Sequence, residues 1–302
     1  MQIREAVVED VPAFDRIRRA IYPWHIASVA AQRNWFDAAT PETMPVRPVA
    51  LIDGEVAGFA MGKLRTSTAE PGVATMYVNV DPARRGCGVG SALYDVVASH
   101  LDSLDLRKIQ VDVADLPEAQ KFASDRGFQQ GHCDRYSGLD PHHLPPMPTA
   151  PDGVTLVPVS SQTPEAMHAL DSTAGADEPG DVSFDGIPFD EWMTRVWHNP
   201  DGDMEISTVA LVDGVPAAVT FMELNRDTGR AWTTGTATLR EYRGRGLAKL
   251  VKSAALRKAA GAGISEALTA NDFTNAPMLA VNDWLGYRPV GRYWSYLRTL
   301  KD

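Results

Sequence analysis

Apolar and polar positions along this chain follow patterns that predict short strands and helices. The dipeptide Asp53-Gly54 separates two apolar runs and is typical of a tight turn between hairpin strands. A further strand is predicted over residues 74–80, and a long helix follows it. The apolar residues of that helix recur at the spacing needed to pack one face on a sheet; they are Ala92, Leu93, Val96, Val97, Leu101 and Leu104. The pattern indicates an α/β fold.

The pattern of strands and helices occurs twice. Three pairs of segments match in the same order: residues 49–58 with 209–218, residues 85–90 with 243–248, and Gly127-Phe128 with Gly286-Tyr287. Their offsets are 160, 158 and 159 residues, close to half of the 302-residue chain. A repeat of this kind has to be recognised before a fold is assigned. We therefore predict a duplication of one α/β module.

A proline-rich stretch at residues 141–153 separates the two copies and contains five prolines. Proline lacks a backbone N–H donor and disfavours helix, so this stretch is predicted to be an extended connector. The prediction is an N-terminal domain at residues 1–140, a linker at residues 141–153 and a C-terminal domain at residues 154–302. Each domain would contain about 150 residues, a usual size for one hydrophobic core.

Composition disfavours several classes of protein. The formal net charge is −10, whereas general nucleic-acid binding depends on a surplus of Lys and Arg. No apolar run reaches the ~20 residues of a membrane helix, and the N-terminal residues lack the order of a signal peptide. The two cysteines, Cys87 and Cys133, are too few for a disulfide framework, and no metal-ligand spacing occurs apart from His142-His143, which we interpret as part of a solvated linker. We expect a cytoplasmic protein without nucleic-acid, membrane or metal partners.

Charge is unevenly distributed along the chain. Residues 240–258 contain seven basic residues and one glutamate, whereas residues 136–194 contain ten acidic residues and no Lys or Arg. Exposed charges are screened over ~8 to 10 Å, so the two segments can act separately. The alternative is two solvated faces of unlike sign.

A glycine-rich loop lies between a strand and a long helix in each copy, with the sequences RGCGVG at residues 85–90 and RGRGLA at residues 243–248. Glycines let the backbone approach an anion, and the first N–H groups of the helix point into the loop, so the pattern predicts a phosphate site. Three interpretations compete: a coenzyme A pyrophosphate site, a dinucleotide-binding turn and a turn without a ligand. The dinucleotide fingerprint belongs near the start of its domain, whereas these loops lie mid-domain with Arg in the first position.

The two loops resemble the signature Arg/Gln-x-x-Gly-x-Gly/Ala of the GCN5-related N-acetyltransferases. The signature positions are Arg85, Gly88 and Gly90 in the first copy and Arg243, Gly246 and Ala248 in the second. The resemblance covers nearly the whole chain, and the doubled form is similar to tandem actinobacterial members of the family. It implies two tandem acyl-CoA N-acyltransferase domains, each with a mixed, V-shaped sheet whose fourth and fifth strands separate.

The resemblance also implies which residues bind acetyl-CoA, the expected cosubstrate. Pantetheine would pair with exposed backbone of the fourth strand, and the pyrophosphate would lie on the loop amides. In the first copy these positions are Val78, Asn79, Val80, Arg85, Gly86, Cys87, Gly88, Val89, Gly90 and Ser91. In the second copy they are Thr236, Ala237, Thr238, Arg243, Gly244, Arg245, Gly246, Leu247, Ala248 and Lys249, with Asn275 at the position of a coenzyme-binding asparagine.

The expected reaction is direct attack of a substrate amine on a thioester. An amine of pKa ~10.4 is helped by a base that frees its lone pair near pH 7. Glu223, on the strand before the fourth strand of the second copy, is the candidate base; the alternative is a solvated strand carboxylate. Family members place a tyrosine acid where this chain has Ala123 and Asn282. We expect catalysis in the second copy, with Asn282 at that position and Tyr287, Tyr293 or water as the acid, unless the thiolate leaves unprotonated.

Acidic residues within 171–191 fall where the first helices of the family line the acceptor pocket, and carboxylates suit a cationic amine. The sequence therefore predicts an acetyl-CoA-dependent N-acetyltransferase that acts on a primary amine of a small, cationic molecule, as a monomer or a homodimer. Two alternatives stay open. One is a non-catalytic acyl-CoA-binding sensor, and the other is an acyltransferase that uses a larger acyl group.

Overall fold

A computed structural model describes residues 1–38, 41–177 and 179–300 of the chain. The chain forms two compact units: the first contains Met1–Cys133 and Arg292–Asp302, and the second contains Asp134–Gly291. Glu178, within the predicted acidic stretch, lies outside the described residues. Among the helices of the described part, none is both long enough and apolar enough to cross a membrane.

Strands and helices alternate along both halves of the chain. The strands are β1 (Gln2–Glu5), β2 (Pro48–Ile52), β3 (Glu55–Leu64), β4 (Val73–Val80), β5 (Lys108–Ala114), β6 (Gln129–Leu139), β7 (Val154–Pro158), β8 (Thr208–Val212), β9 (Val215–Asn225), β10 (Arg230–Thr238), β11 (Glu266–Asp272) and β12 (Arg288–Thr299). The α-helices are α1 (Val11–Ile21), α2 (Val29–Asp37), α3 (Val89–Asp102), α4 (Pro117–Ser124), α5 (Pro164–Gly175), α6 (Phe189–Trp192), α7 (Leu247–Gly261) and α8 (Ala276–Leu285).

The sheet of the first unit follows the order β1-β2-β3-β4-β5, and residues 293–299 of β12 complete it beside β5. β4 and β5 run parallel, whereas the other neighbours run antiparallel. Helix α3 packs on β3 and β4 and buries Leu93, Val97 and Leu101, so the apolar face predicted for this helix is confirmed. Burial of each such side chain contributes roughly 1.5–3 kcal/mol to the free energy of folding.

The start of α3 lies close against β3, and glycine allows this approach. A Cβ atom at Gly58 would lie 2.8 Å from the backbone oxygen of Asn79 and 2.9 Å from Cγ1 of Val89, the first residue of α3. Both distances are shorter than a carbon contact allows. The glycine at this position of β3 therefore fixes where the glycine-rich loop meets the sheet.

The sheet of the second unit follows the order β7-β8-β9-β10-β11, and residues 134–139 of β6 complete it beside β11. β10 and β11 run parallel, and the other neighbours run antiparallel. Helix α7 packs on β8, β9 and β10 and buries Leu250, Val251 and Leu256. Both units thus contain the same mixed sheet, and the predicted α/β fold with a mixed sheet is confirmed.

The last strand of each unit comes from the other half of the sequence. Residues 293–299 of β12 pair with residues 114–108 of β5, and residues 134–139 of β6 pair with residues 272–267 of β11. The backbone N–H and C=O groups at the β5 and β11 edges gain partners in this way. The compact units consequently differ from the ranges 1–140 and 154–302, which stay a prediction of where the duplicated segments begin and end.

The hairpin turn predicted at Asp53-Gly54 and its counterpart in the second copy, at Asp213-Gly214, are both confirmed. Asp53 and Gly54 have φ angles of 55° and 84°, and Asp213 and Gly214 have φ angles of 49° and 84°. Two consecutive positive φ angles are the geometry of a type I′ turn, which matches the twist of antiparallel strands. These turns align β2 with β3 and β8 with β9.

Candidate active site

The glycine-rich loops adopt the same conformation in both units. Gly86 and Gly88 have φ angles of 75° and 80°, and Gly244 and Gly246 have φ angles of 77° and 79°. A Cβ atom at any of these four glycines would meet no other atom within 4 Å. The glycines are therefore required by the left-handed backbone rather than by lack of space, and the loops present an open surface.

Helices α3 and α7 begin within these loops, at Val89 and Leu247, directly after the glycines with positive φ angles. The first N–H groups of an α-helix have no acceptor within the helix, and the helix dipole adds positive potential there. An anion placed over either loop would accept hydrogen bonds from these amides. The residues present thus fit a diphosphate, in agreement with the sequence pattern.

A cavity of about 530 Å³ opens over the loop of the first unit, between β4, β5, α3 and α4. Every coenzyme-binding residue predicted for the first copy lines this cavity except Cys87. Cys87 is exposed, and its Sγ contacts the backbone oxygen of Arg85 at 3.7 Å. The Arg85 side chain pairs with Glu118 at 3.0 Å. The binding of a pantetheine chain between β4 and β5 stays a prediction.

Arginines beside the second loop pair with an acidic residue of the segment that follows α5. Arg240 and Arg243 both contact the Asp177 carboxylate, the latter at 2.7 Å. The hydrogen bond from Arg240, then that from Arg243, holds the pKa of Asp177 well below its usual range. Further along, Lys249 Nζ lies 5.0 Å from the Trp284 ring. Part of the basic charge of residues 240–258 is thus already paired within the protein.

β10 carries an irregularity that β4 lacks. In the β9–β10 ladder, Thr233 pairs with Met222 and Gly235 pairs with Phe221, so Thr234 is an extra residue. The β3–β4 ladder runs from Gly58–Val80 to Leu64–Ala74 without a register shift. A bulge of this kind removes one residue from the ladder and redirects the adjoining groups.

Glu223 lies on β9 next to this bulge. It is half-buried, and Asn199 Nδ2 donates a hydrogen bond to Glu223 Oε1 at 2.9 Å. Burial raises the pKa of the Glu223 carboxyl to about 7, and the charge of Asp201 acts in the same direction. Hydrogen bonds from Thr234 and Asn199 oppose this shift. The result is a carboxyl group that can hold or release a proton near neutral pH.

The corresponding position of the first unit carries a different residue. Glu223 pairs with Trp232 in the β9–β10 ladder, and the residue at the equivalent place in the β3–β4 ladder is Lys63, opposite Thr75. A lysine in this position provides no carboxylate base. The two copies therefore share the glycine-rich loop but differ in the residues available for proton transfer.

The predicted acid candidates lie in different units. Tyr293 belongs to the first unit, where its hydroxyl donates to Tyr22 at 3.5 Å and the Tyr22 hydroxyl donates to Asn79 at 3.2 Å. Glu223 and Asn282 belong to the second unit. Buried Asn282 donates to Asn271 Oδ1 at 2.6 Å, while its own Oδ1 has no hydrogen-bond partner among the described residues.

Asn275 caps the N-terminus of α8. Its Oδ1 accepts a hydrogen bond from the Met278 backbone N–H at 3.2 Å, which is a typical N-cap interaction. The side chain predicted to bind the coenzyme therefore already stabilises a helix start. Its coenzyme contact stays a prediction.

Several carboxylates of the predicted acceptor region interact with neighbouring side chains. Asp171 accepts a hydrogen bond from Trp192 Nε1 at 2.9 Å, and burial raises its pKa. Glu191 pairs with Arg195 at 2.9 Å. These contacts account for part of the acidic stretch without an acceptor molecule.

Comparisons with known proteins identify relatives of this chain. The family model described as "Acetyltransferase (GNAT) family" matches residues 7–128 and 169–287. A mycothiol acetyltransferase from Nocardioides sp. (strain ATCC BAA-499 / JS614) is 28% identical over 221 residues, which are 69% of this chain and 74% of that protein. Each segment matched by the family model contains one glycine-rich loop.

Two solved structures have a similar fold. A GCN5-related N-acetyltransferase from Sphaerobacter thermophilus has a TM-score of 0.75 at 20% identity, covering 100% of this chain and 96% of that chain. A tandem GNAT protein from the clavulanic acid biosynthesis pathway has a TM-score of 0.73 at 20% identity, covering 99% and 98% of the two chains. The fold of the whole chain, including its duplication, thus occurs in known structures.

Proposed function

The chain belongs to the GNAT family of N-acetyltransferases, and from that premise we propose that its second unit transfers an acetyl group from acetyl-CoA to a primary amine of a small, cationic molecule. Acetyl-CoA supplies the activated acyl group as a thioester. The observation that carries the proposal is the cluster of Glu223, Thr234 and Asn199 beside the bulge of β10. This cluster would provide a carboxyl base in the same unit as a glycine-rich loop.

Glu223 would take the proton of the attacking amine. An alkyl ammonium has a pKa of ~10.4, so freeing its lone pair at pH 7 costs roughly 4.6 kcal/mol. A carboxylate whose pKa is about 7 is a better match for this proton than an ordinary glutamate. Asn199 and Thr234 would orient the carboxylate, since both donate hydrogen bonds to it.

Charge supports the proposed class of acceptor. Glu223 lies within the electrostatic reach of Asp201, and the chain as a whole carries a net charge of −10. An acidic environment attracts cationic molecules and raises their local concentration. One relative of this chain is named mycothiol acetyltransferase. The acceptor of that enzyme is therefore one of the molecules to test.

The first unit supports a second candidate function, the binding of an acyl-CoA without transfer. It has the cavity of about 530 Å³ over its loop, but it has Lys63 in place of the carboxylate and a regular β4. We propose that this unit holds the coenzyme for structure or sensing.

Thiol release from acetyl-CoA with a panel of cationic, neutral and anionic amines tests the proposed function. The proposal predicts turnover with primary amines and a preference for cationic acceptors, with the acetylated product identified by its mass. Binding of acetyl-CoA without release across the panel would favour a sensor. Faster release from a longer acyl-CoA would assign a different acyl group, and a preference for anionic acceptors would contradict the cationic class.

A further inference from the structure

Five positions that line the cavity of the first unit have polar counterparts in the second. Met76, Tyr94, Val113, Ala123 and Phe128 line the cavity between β4 and β5. At the offsets of the duplication and the strand registers, their counterparts are Thr233, Lys252, Asn271, Asn282 and Tyr287. We call these five residues the polar slot.

Direct contacts join the members of the polar slot. Lys252 Nζ lies 5.3 Å from the centre of the Tyr287 ring, and the Tyr287 hydroxyl lies 3.4 Å from Thr233 Oγ1, next to the β10 bulge. The Tyr287 backbone N–H donates to the Asn282 backbone oxygen at 3.0 Å, and Asn282 contacts Asn271 as described above. The slot therefore extends from α7 to the bulge.

Lys252 is the unusual member of this slot. Its side chain is 1% exposed, and burial alone lowers its pKa to about 7. The titratable group that faces it is the phenol of Tyr287, and burial keeps this phenol protonated by raising the pKa of its hydroxyl. No carboxylate of the described residues pairs with Lys252, and a buried ammonium without such a partner disfavours folding because its charge is poorly solvated. An anion that arises in the slot would provide the missing partner.

The geometry points to a specific role: we propose that Lys252 Nζ protonates the sulfur of coenzyme A as it departs in the second unit. The inference rests on the proposed function of that unit. The C–S bond of the thioester breaks, its electron pair stays on sulfur, and one proton moves from Lys252 Nζ to that sulfur. The products are a thiol and a neutral lysine amine, which regains its proton from solvent.

The other candidates for this proton are less suited. Asn282 has only an amide, and Tyr287 is a weaker acid in its buried site than a free tyrosine. Tyr293 belongs to the first unit. In that unit the counterpart of Lys252 is Tyr94, whose hydroxyl accepts a hydrogen bond from Arg298 at 2.9 Å. The proton donor is therefore specific to the second unit.

Two variants of the full chain separate the charge of Lys252 from its acidity. Lys252→Met removes both, whereas Lys252→Arg keeps a cation that does not release its proton near pH 7. Lys258→Met, an exposed lysine on the same helix, is the matched control. We expect kcat for acetyl transfer to fall by about 10²- to 10⁴-fold in both Lys252 variants, because general acid catalysis is lost. The control keeps the wild-type rate.

A second readout does not depend on turnover. The pKa of the thiol in bound coenzyme A is measured from the ultraviolet absorbance of the thiolate. An ammonium beside the sulfur lowers this pKa, so we expect a higher value in Lys252→Met than in the wild type, and a low value in Lys252→Arg. Thermal melting of each variant checks that it is folded.

The outcomes distinguish this inference from the proposed function. If the wild type transfers acetyl groups and Lys252→Met keeps both its kcat and its bound-thiol pKa, the role of Lys252 is overturned and the proposed function stands. If the wild type transfers to no amine, the proposed function fails. The pKa of the bound thiol then still decides whether Lys252 lies beside the sulfur. Equal thiol pKa values in the wild type and in Lys252→Met would overturn that contact.

Discussion

Glu223 combines hydrogen bonds that favour its charged form with burial that disfavours it. Asn199 and Thr234 donate to the carboxylate, yet burial prevails and raises the pKa to about 7. A carboxyl group that protonates more readily in the folded protein than in the unfolded chain stabilises the fold below its unfolded pKa of 4.5. This stabilisation is lost as the pH rises through about 7. At higher pH the charged carboxylate is a local source of instability.

Glu223→Gln therefore changes stability in a pH-dependent way. Glutamine cannot ionise, so we expect the variant to be more stable than the wild type by about 2 kcal/mol at pH 8, after discounting for the partial exposure of the side chain. At pH 4.5 the difference should nearly vanish. Urea unfolding at the two pH values measures it, with Glu205→Gln, an exposed carboxylate of the same unit, as control. An equal difference at both pH values would contradict the raised pKa.

Sequence reasoning at the residue scale selected Glu223 and the two loops, but it missed Asn199, Thr234 and Lys252. Asn199 reaches Glu223 from a distant loop, through a contact that no local pattern encodes. Lys252 was counted as part of a basic segment, although its neighbours Val251, Ala255 and Leu256 share its buried face. A lysine at an apolar position of a helix is the signal that identifies it.

The β10 bulge is an element by which the second copy differs from the first. Thr234 is inserted opposite the pair of Phe221 and Met222, and its hydroxyl donates to Glu223. The extra residue lies on β10, the fourth strand of the second unit, and places a hydroxyl group beside the candidate base Glu223. The regular β4 of the first unit contains no such insertion.

Thr234→Val should shift the pH dependence of the reaction. Removal of the hydroxyl takes away a hydrogen bond that favours the Glu223 carboxylate, so the pKa of Glu223 should rise by about 0.5 to 1 unit. The acidic limb of the kcat/KM profile should move to higher pH by the same amount. Thr228→Val, at an exposed threonine of the β9–β10 turn, is the control and should leave the limb unchanged. An unshifted limb in Thr234→Val would show that this hydroxyl does not act on the base.

The bulge was not evident in the sequence because a shorter turn compensates for it. Eight residues connect β3 to β4, at 65–72, whereas four residues connect β9 to β10, at 226–229. β9 is one residue longer than β3, and the bulge adds one more residue, so the net offset of the duplication changes only from 160 to 158 between the hairpin and the loop. The Asp-Gly turns, in contrast, were predictable because the required positive φ angles favour these residues.

The whole chain is a duplication whose copies have diverged around a shared loop. The repeat in the sequence predicted the two mixed sheets, since each copy contains the same order of strands. It did not predict that β12 completes the first unit and β6 the second, because pairing at a sheet edge is set by contacts between residues far apart in sequence. Residues near the chain end, such as Tyr293, consequently belong to the first unit.

Divergence of the copies is the basis of the different tasks that we propose for them. The second unit has Glu223, the bulge and the polar slot, whereas the first has the cavity and counterparts that are apolar apart from the Tyr94 hydroxyl. Binding and proton transfer would then be separated between two modules of one chain. The claim on which this account depends is that Glu223 is the base for acetyl transfer.

Steady-state thiol release by Glu223→Gln, measured from pH 6 to pH 9 with a primary amine that the wild type accepts, tests that claim most directly. We predict a kcat about 10²- to 10⁴-fold below the wild type and loss of the acidic limb near pH 7, with unchanged affinity for acetyl-CoA and wild-type rates for Glu205→Gln. A variant that keeps the wild-type rate and the same limb would contradict the account.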